Sequence, residues 1–253
     1  MRKKLESQME QQLKTSALGL HGFLGRPEDF SYFKKRFAES QCQLLTPSLF
    51  SKSPSGESLR DEAKSLFLEH SSFHGDSRYL LGYSYGGRLA IEILLQNPEF
   101  FSKAVLVSTG FGFSDSANRI LRANQDEEWA KLFEHAAWEK CLTKWAAQEL
   151  WQSGDNPWPG PRDESLFQRA RLAEALRLRG QASSAFQIPR LSKILCPVLL
   201  VVGGDDQKYL AQAELAAHQL ANVELCVISG ASHRVCFSHP ELVFSAIEEF
   251  LFS

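Results

Sequence analysis

Tyr79-Leu80-Leu81-Gly82-Tyr83-Ser84-Tyr85-Gly86-Gly87-Arg88 is the stretch on which the fold turns. Tyr79 to Tyr83 predicts a strand and Arg88 to Leu95 a helix, which should be buried because Leu89 to Leu95 is apolar nearly all round. Pro98 stops that helix. Between them stands G-x-S-x-G, Gly82 to Gly86. Alone this pattern is weak, because many loops match it by chance. The strand before it and the helix after it give it weight. A turn this tight leaves no room for side chains beside the serine, hence the two glycines. Ser84 is then pushed out at the carboxyl edge of a sheet, above a helix N-terminus whose positive end favours developing negative charge. The alternative is a glycine-rich turn with an idle serine.

Outward from this point, short apolar runs alternate with helical patterns, as in a parallel sheet with crossover helices. Predicted strands are Ala17–His21, Cys42–Thr46, Tyr79–Tyr83, Lys103–Ser108, Pro197–Gly203 and Val223–Ile228. Leu59, Ala63, Leu66 and Phe67 give one helical stripe; Leu242, Val243, Ala246, Ile247, Phe250 and Leu251 give another, opened by Pro240. From about Phe111 to Ile188 the patterns are helical only. All five tryptophans sit there, with a Pro- and Gly-rich loop at Ser153–Pro161. The expected organisation is a core over 14–111 and 188–253, with a helical lid inserted at 112–187.

The chain has 253 residues and a net charge of −2, with no global basic field, so a nucleic-acid partner is not expected. The longest clean apolar run, Pro197 to Val202, is too short to span a bilayer. The N-terminal MRKKLESQMEQQLKTS lacks the apolar core of a secretory signal. Five cysteines, without CxxC spacing, suggest a reduced compartment. A cytoplasmic location is expected. The histidines give no metal-ligand spacing; His70 and His74 read as surface residues in a loop. Neither a metal nor a cofactor is expected, and oligomeric state is left open.

A serine hydroxyl needs a base, and the base needs an orienting acid. After the fifth strand comes Gly203-Gly204-Asp205-Asp206, and after the sixth Ser229-Gly230-Ala231-Ser232-His233. Catalytic side chains of open α/β sheets gather at such strand ends. His233 is the predicted base; its competitor His239 abuts Pro240 at a helix start. Asp206 is preferred over Asp205 from its place in the motif, and Asp205 falls to the turn. The chain order serine, acid, histidine is that of the α/β-hydrolase fold. The oxyanion-hole donors are then the backbone N–H groups of Tyr85 and of Phe23, in His21-Gly22-Phe23 after the first strand. His21 itself reads as structural.

Arg88 lies about one helical turn beyond Ser84, and a cation there suits an anionic substrate. Arg119 and Arg122 open the helical segment; Arg177 and Arg179 close it. Convergent arginines imply a polycarboxylate ligand, because guanidinium grips carboxylate as a fork. Against this, Arg122 and Asp126 are spaced to pair on one helix face, and Arg171, Arg177 and Arg179 can form a solvated face.

These residues carry a resemblance. GYSYGGR at Gly82–Arg88, HGFLG at His21–Gly25, the spacing Arg122…Asp126…Trp129, the ALR ending at Arg177 and GGDDQKY at Gly203–Tyr209 resemble the 2-succinyl-6-hydroxy-2,4-cyclohexadiene-1-carboxylate synthases of menaquinone biosynthesis, within the α/β-hydrolase superfamily. The resemblance runs over most of the chain and is specific in these patches. It implies Ser84, Asp206 and His233 as the triad. It also implies Arg88, Arg122 and Arg177 as carboxylate ligands and Trp145 as a wall of the pocket. Thr46 to Ser51 replaces the family's P-G-H-G turn, Ala146 follows Trp145 where tyrosine is usual, and Cys236 stands where a histidine often does. The implied activity is a carbon–oxygen lyase releasing pyruvate from a small anionic polycarboxylate. The competing expectations are a carboxylesterase or C–C bond hydrolase acting through an acyl-enzyme, and a non-catalytic binding protein of the same fold, against which the intact triad argues.

Overall fold

Strands covered on both faces read as unbroken apolar runs, and Val-Leu-Leu-Val-Val is such a run. In the computed structural model it forms the fifth of six strands: β1 (Thr15–Leu20), β2 (Cys42–Leu45), β3 (Ser77–Tyr83), β4 (Lys103–Val107), β5 (Val198–Gly203) and β6 (Val223–Ile228). The structure describes residues 15–53, 55–72, 77–151 and 160–253. The charged N-terminal stretch, His74 and most of the Ser153–Pro161 loop lie outside the described residues. All six strands pair parallel in the order β2-β1-β3-β4-β5-β6. Each matches a predicted strand to within two residues at either end. Parallel pairing puts every carboxyl end on one edge. The registers Leu20↔Gly82, Tyr83↔Val107 and Gly203↔Ile228 align those ends.

The helices are α1 (Ser31–Glu39), α2 (Leu59–His70), α3 (Tyr85–Gln96), α4 (Ser116–His135), α5 (Trp138–Ala146), α6 (Arg169–Arg179), α7 (Gln207–Ala217), the single turn α8 (Val235–Ser238) and α9 (Pro240–Phe252). Ser58 caps α2 by accepting the Asp61 N–H, and Pro240 opens α9. One sheet face packs on α2, α3 and α7, the other on α1 and α9. As its all-round apolarity predicts, α3 is buried from Tyr85 to Leu94. Each fully covered leucine or isoleucine there stabilises the fold by about 1.5–3 kcal/mol. Among the described residues between β4 and the turn at Ile188, the regular elements are helical, and α4 packs lengthwise on α6. These helices cover the edge where the strands end. Among the described residues, no helix is long and apolar enough to cross a membrane.

Candidate active site

Ser84 joins β3 to α3 with φ 52° and ψ −108°, a left-handed conformation that costs a non-glycine residue of the order of 1–3 kcal/mol. Its neighbours hold it there. The Ser84 N–H donates to the Val107 carbonyl at 2.9 Å, continuing the sheet. A Cβ at Gly82 would sit 2.6 Å from the Gly86 carbonyl oxygen, and one at Gly86 would sit 2.0 Å from the Leu20 carbonyl oxygen. The first glycine is demanded by the turn itself. The second lets α3 start against the end of β1. The hydroxyl is thereby fixed at the sheet edge.

The loops after β5 and β6 bring the other two groups to it. Ser84 Oγ lies 3.0 Å from His233 Nε2, and His233 Nδ1 lies 2.7 Å from Asp206 Oδ2. A carboxylate only accepts, so Nδ1 carries the proton and Nε2 is free to accept from the serine hydroxyl. His233 is 1% exposed and Asp206 6%. Burial lowers the His233 pKa below its ordinary 6.5, and the hydrogen bond to Asp206 pulls it partly back. The imidazole is therefore neutral at pH 7 and able to take a proton. Asp205 is exposed, and its N–H ties the loop to the Ala231 carbonyl at 2.9 Å, a turn residue beside the acid. His239 contacts the Ser238 hydroxyl at 2.9 Å.

Phe23 and Tyr85 both line the cavity over Ser84. Tyr85 opens α3, where first-turn N–H groups have no acceptor within the helix. Phe23 sits in a tight turn closed by the Gly25 N–H to the Gly22 carbonyl at 2.9 Å. His21 is structural, as expected: Nδ1 meets the Gly22 carbonyl at 2.9 Å, and Nε2 accepts the Leu49 N–H at 3.2 Å. Burial drops its pKa to about 4, so the ring is neutral with both nitrogens used.

The cavity over Ser84 is partly enclosed, walled by aromatic side chains with a few polar and charged groups among them, the make-up of a small-molecule site. Trp145 forms a wall, 8% exposed, with its ring tilted against Phe23 at 4.8 Å and edge-to-face with Trp129 at 4.9 Å. Its Nε1 has no hydrogen-bond partner among the described residues. Arg88 and Arg122 line the cavity as expected. Arg88 donates to the Arg179 carbonyl and is buried, with no carboxylate paired to it among the described residues. Arg122 also pairs with Asp126 at 2.7 Å, so the helix-face pairing and the cavity lining both hold.

Arg177 is the correction. Its guanidinium holds Glu127 at 2.7 Å and Glu134 at 2.5 Å across α4 and α6, and it does not line the cavity. Arg171 and Arg179, which could have formed a solvated face, are buried at 6% and 0%. Arg162 and Arg234 were missed and do line the cavity. Arg162 grips the buried Asp29 at 2.7 and 2.8 Å. Arg234 lies over the Trp151 and Phe237 rings at 5.2 and 5.1 Å. Trp151 and Tyr209 flank His233, with ring centroids at 5.6 and 4.2 Å. The signal for Arg234 was its place next to the predicted base. Arg162, beside a Pro- and Gly-rich loop, gave none. Among the described residues the cavity lining carries four arginines, Arg88, Arg122, Arg162 and Arg234, with the carboxylates Asp29 and Asp126.

Set beside known proteins, residues 17–246 match a family described as the alpha/beta hydrolase family. The chain is 26% identical over 246 residues to the 2-succinyl-6-hydroxy-2,4-cyclohexadiene-1-carboxylate synthase of Serratia proteamaculans strain 568, covering 92% of this chain and 91% of that protein. The solved structure of MenH from S. aureus superposes with a TM-score of 0.83 at 25% identity, covering 94% of this chain and 93% of that one. A structure from a study of carboxylesterases of the Thaumarchaeon Nitrososphaera gargenis superposes with a TM-score of 0.76 at 13% identity, covering 94% and 90%, a likeness of fold alone.

Proposed function

The chain belongs to the alpha/beta hydrolase family, and on that premise we propose that it is a lyase of menaquinone biosynthesis. It eliminates pyruvate from 2-succinyl-5-enolpyruvyl-6-hydroxy-3-cyclohexene-1-carboxylate and leaves the ring product for which its synthase relative is named. The observation that supports this reading is the gathering of Arg88, Arg122, Arg162 and Arg234 around a partly closed cavity over the Ser84–His233–Asp206 relay. Guanidinium grips carboxylate as a fork, so arginines converging on one cavity suit a tricarboxylate better than a neutral ester.

Ser84 Oγ, with His233 taking its proton, removes the ring proton beside the succinyl ketone. The electron pair moves onto the ketone oxygen, and the Phe23 and Tyr85 N–H groups hold the resulting enolate. The enolate then collapses, the ring double bond shifts, and the carbon–oxygen bond to the enolpyruvyl group breaks. Enolpyruvate takes the proton back from the His233 imidazolium and ketonises to pyruvate. No water is consumed and no acyl-enzyme forms. Proton transfer of this kind is worth about 10²–10⁴-fold and oxyanion stabilisation about 10²–10³-fold. Arg88, Arg122, Arg162 and Arg234 supply the carboxylate field, and the Trp145 indole N–H adds a neutral donor.

A coupled assay for pyruvate with the enolpyruvyl substrate tests this. The expected result is pyruvate release with poor turnover of p-nitrophenyl acetate and no acyl-enzyme burst. Rapid ester hydrolysis with a burst, and no pyruvate, moves the assignment to a carboxylesterase.

A further inference from the structure

Beneath the elbow, outside the cavity, lie four charged side chains that the relay does not use. Arg179 is completely buried at the end of α6. Its Nε reaches Glu62 Oε2 at 2.6 Å and the Tyr85 hydroxyl at 3.1 Å. Its Nη2 reaches Glu174 at 2.7 Å, and its Nη1 donates to the Glu57 carbonyl at 2.8 Å. Arg171 bridges the same two carboxylates, Glu62 at 3.0 Å and Glu174 at 2.9 Å. The Tyr85 hydroxyl donates to Glu62 at 3.3 Å, closing the ring of contacts. Charges balance, two against two, and each of the four makes at least two of these contacts, while Arg171 Nε has no hydrogen-bond partner among the described residues. Such close mutual pairing favours one geometry of the buried network.

The network joins three parts of the molecule. Glu62 belongs to α2 of the core, Arg171, Glu174 and Arg179 to α6 of the helical insertion, and Tyr85 to the residue after Ser84. Arg179 has a second connection to the cavity. Its own carbonyl accepts from Arg88 Nη1, and the Arg88 guanidinium lies 5.1 Å from the centre of the Tyr85 ring. One residue thus holds, by side chain, the ring of Tyr85, the proposed oxyanion donor, and, by backbone, the cation that lines the pocket.

We propose that Arg179 is a positioning residue that couples the seating of α6 to the geometry of the elbow, acting through the Tyr85 hydroxyl and the Arg88 guanidinium. The kinetic half of this proposal rests on the function argued above. The structural half does not. When α6 is seated, Tyr85 and Arg88 are locked. When α6 lifts, both lose their anchor together, and the cavity loses an oxyanion donor and a cation at once.

The test compares Tyr85→Phe and Arg179→Lys with wild type by hydrogen–deuterium exchange and by pyruvate release. Tyr85→Phe removes only the hydroxyl and keeps the ring and the backbone N–H. The expected result is faster exchange at 85–90 and a kcat lower by about tenfold with KM within about twofold, the scale of one hydrogen bond to a charged partner. Arg179→Lys cannot make all four contacts, and exchange is expected to rise at both 169–179 and 85–90. Exchange that rises at 169–179 alone, with kcat unchanged in both variants, overturns the proposal and leaves Arg179 a brace for the insertion. Should Arg179→Lys fail to fold, Tyr85→Phe decides by itself. If wild type releases no pyruvate, the function is refuted, while the exchange data still decide the coupling.

Discussion

Replacing Arg162 with methionine strips a buried carboxylate of its countercharge. The Arg162 and Asp29 side chains are 2% and 5% exposed, and one guanidinium nitrogen meets both Asp29 oxygens at 2.7 and 2.8 Å. In Arg162→Met, Asp29 keeps the Arg26 N–H at 3.0 Å as its hydrogen-bond partner among the described residues. Breaking a buried pair from one side costs about 3–5 kcal/mol. The remaining hydrogen bond puts this site near the lower end, and for a chain of this size that is roughly 10 °C in Tm. Asp29→Asn in the same background removes the buried charge and keeps an acceptor for Arg26, so it should recover more than half of the loss. The pH dependence has a definite sign. Burial raises the Asp29 pKa and Arg162 opposes that rise. Without Arg162 the raised value goes higher, the penalty is present above it, and protonation removes the penalty as pH falls through it. The deficit of Arg162→Met should therefore shrink as pH is lowered from neutrality. Urea denaturation of both variants from neutral pH downward is the assay. A single-variant cost under about 1 kcal/mol, or no recovery with Asp29→Asn, refutes the reasoning.

Gly86→Ala forces a Cβ to 2.0 Å from the Leu20 carbonyl oxygen, so soluble yield or activity should collapse, read by circular dichroism and pyruvate release. Because burial lowers the His233 pKa, the acid limb of kcat/KM should fall below pH 6.5, and a limb above that value assigned to His233 would contradict the account. Arg122→Ala should raise KM about tenfold or more, whereas Arg177→Ala should leave KM within about twofold and cost at most about 1 kcal/mol of stability, since its ion pairs are partly exposed. Equal effects of the two arginines on KM would dismantle the cavity assignment.

The four inner strands β1, β3, β4 and β5 were legible because strands buried on both faces leave nearly unbroken apolar runs, the part-exposed edge strands β2 and β6 gave shorter, polar-interrupted runs, and the elbow was legible because its glycines answer to contacts within the turn and against β1. Ser84, Asp206 and His233 could be placed because each follows a strand, and parallel pairing collects strand ends at one edge. The arginines were harder. Arg177 and Arg179 are two residues apart, on opposite faces of α6, and the buried face carries Arg171 and Arg179 among Leu172, Ala175 and Leu176. With arginine on both faces, periodicity does not reveal which side meets the core. Arg162 and Asp29 meet across 133 residues, and each sits in a stretch that reads as surface.

Pyruvate release by Ser84→Ala, set against wild type with the enolpyruvyl tricarboxylate, weighs the relay and the reaction together. The account predicts a fall in kcat on the order of 10³-fold or more, with KM little changed because the arginines remain. A rate near that of wild type would contradict it.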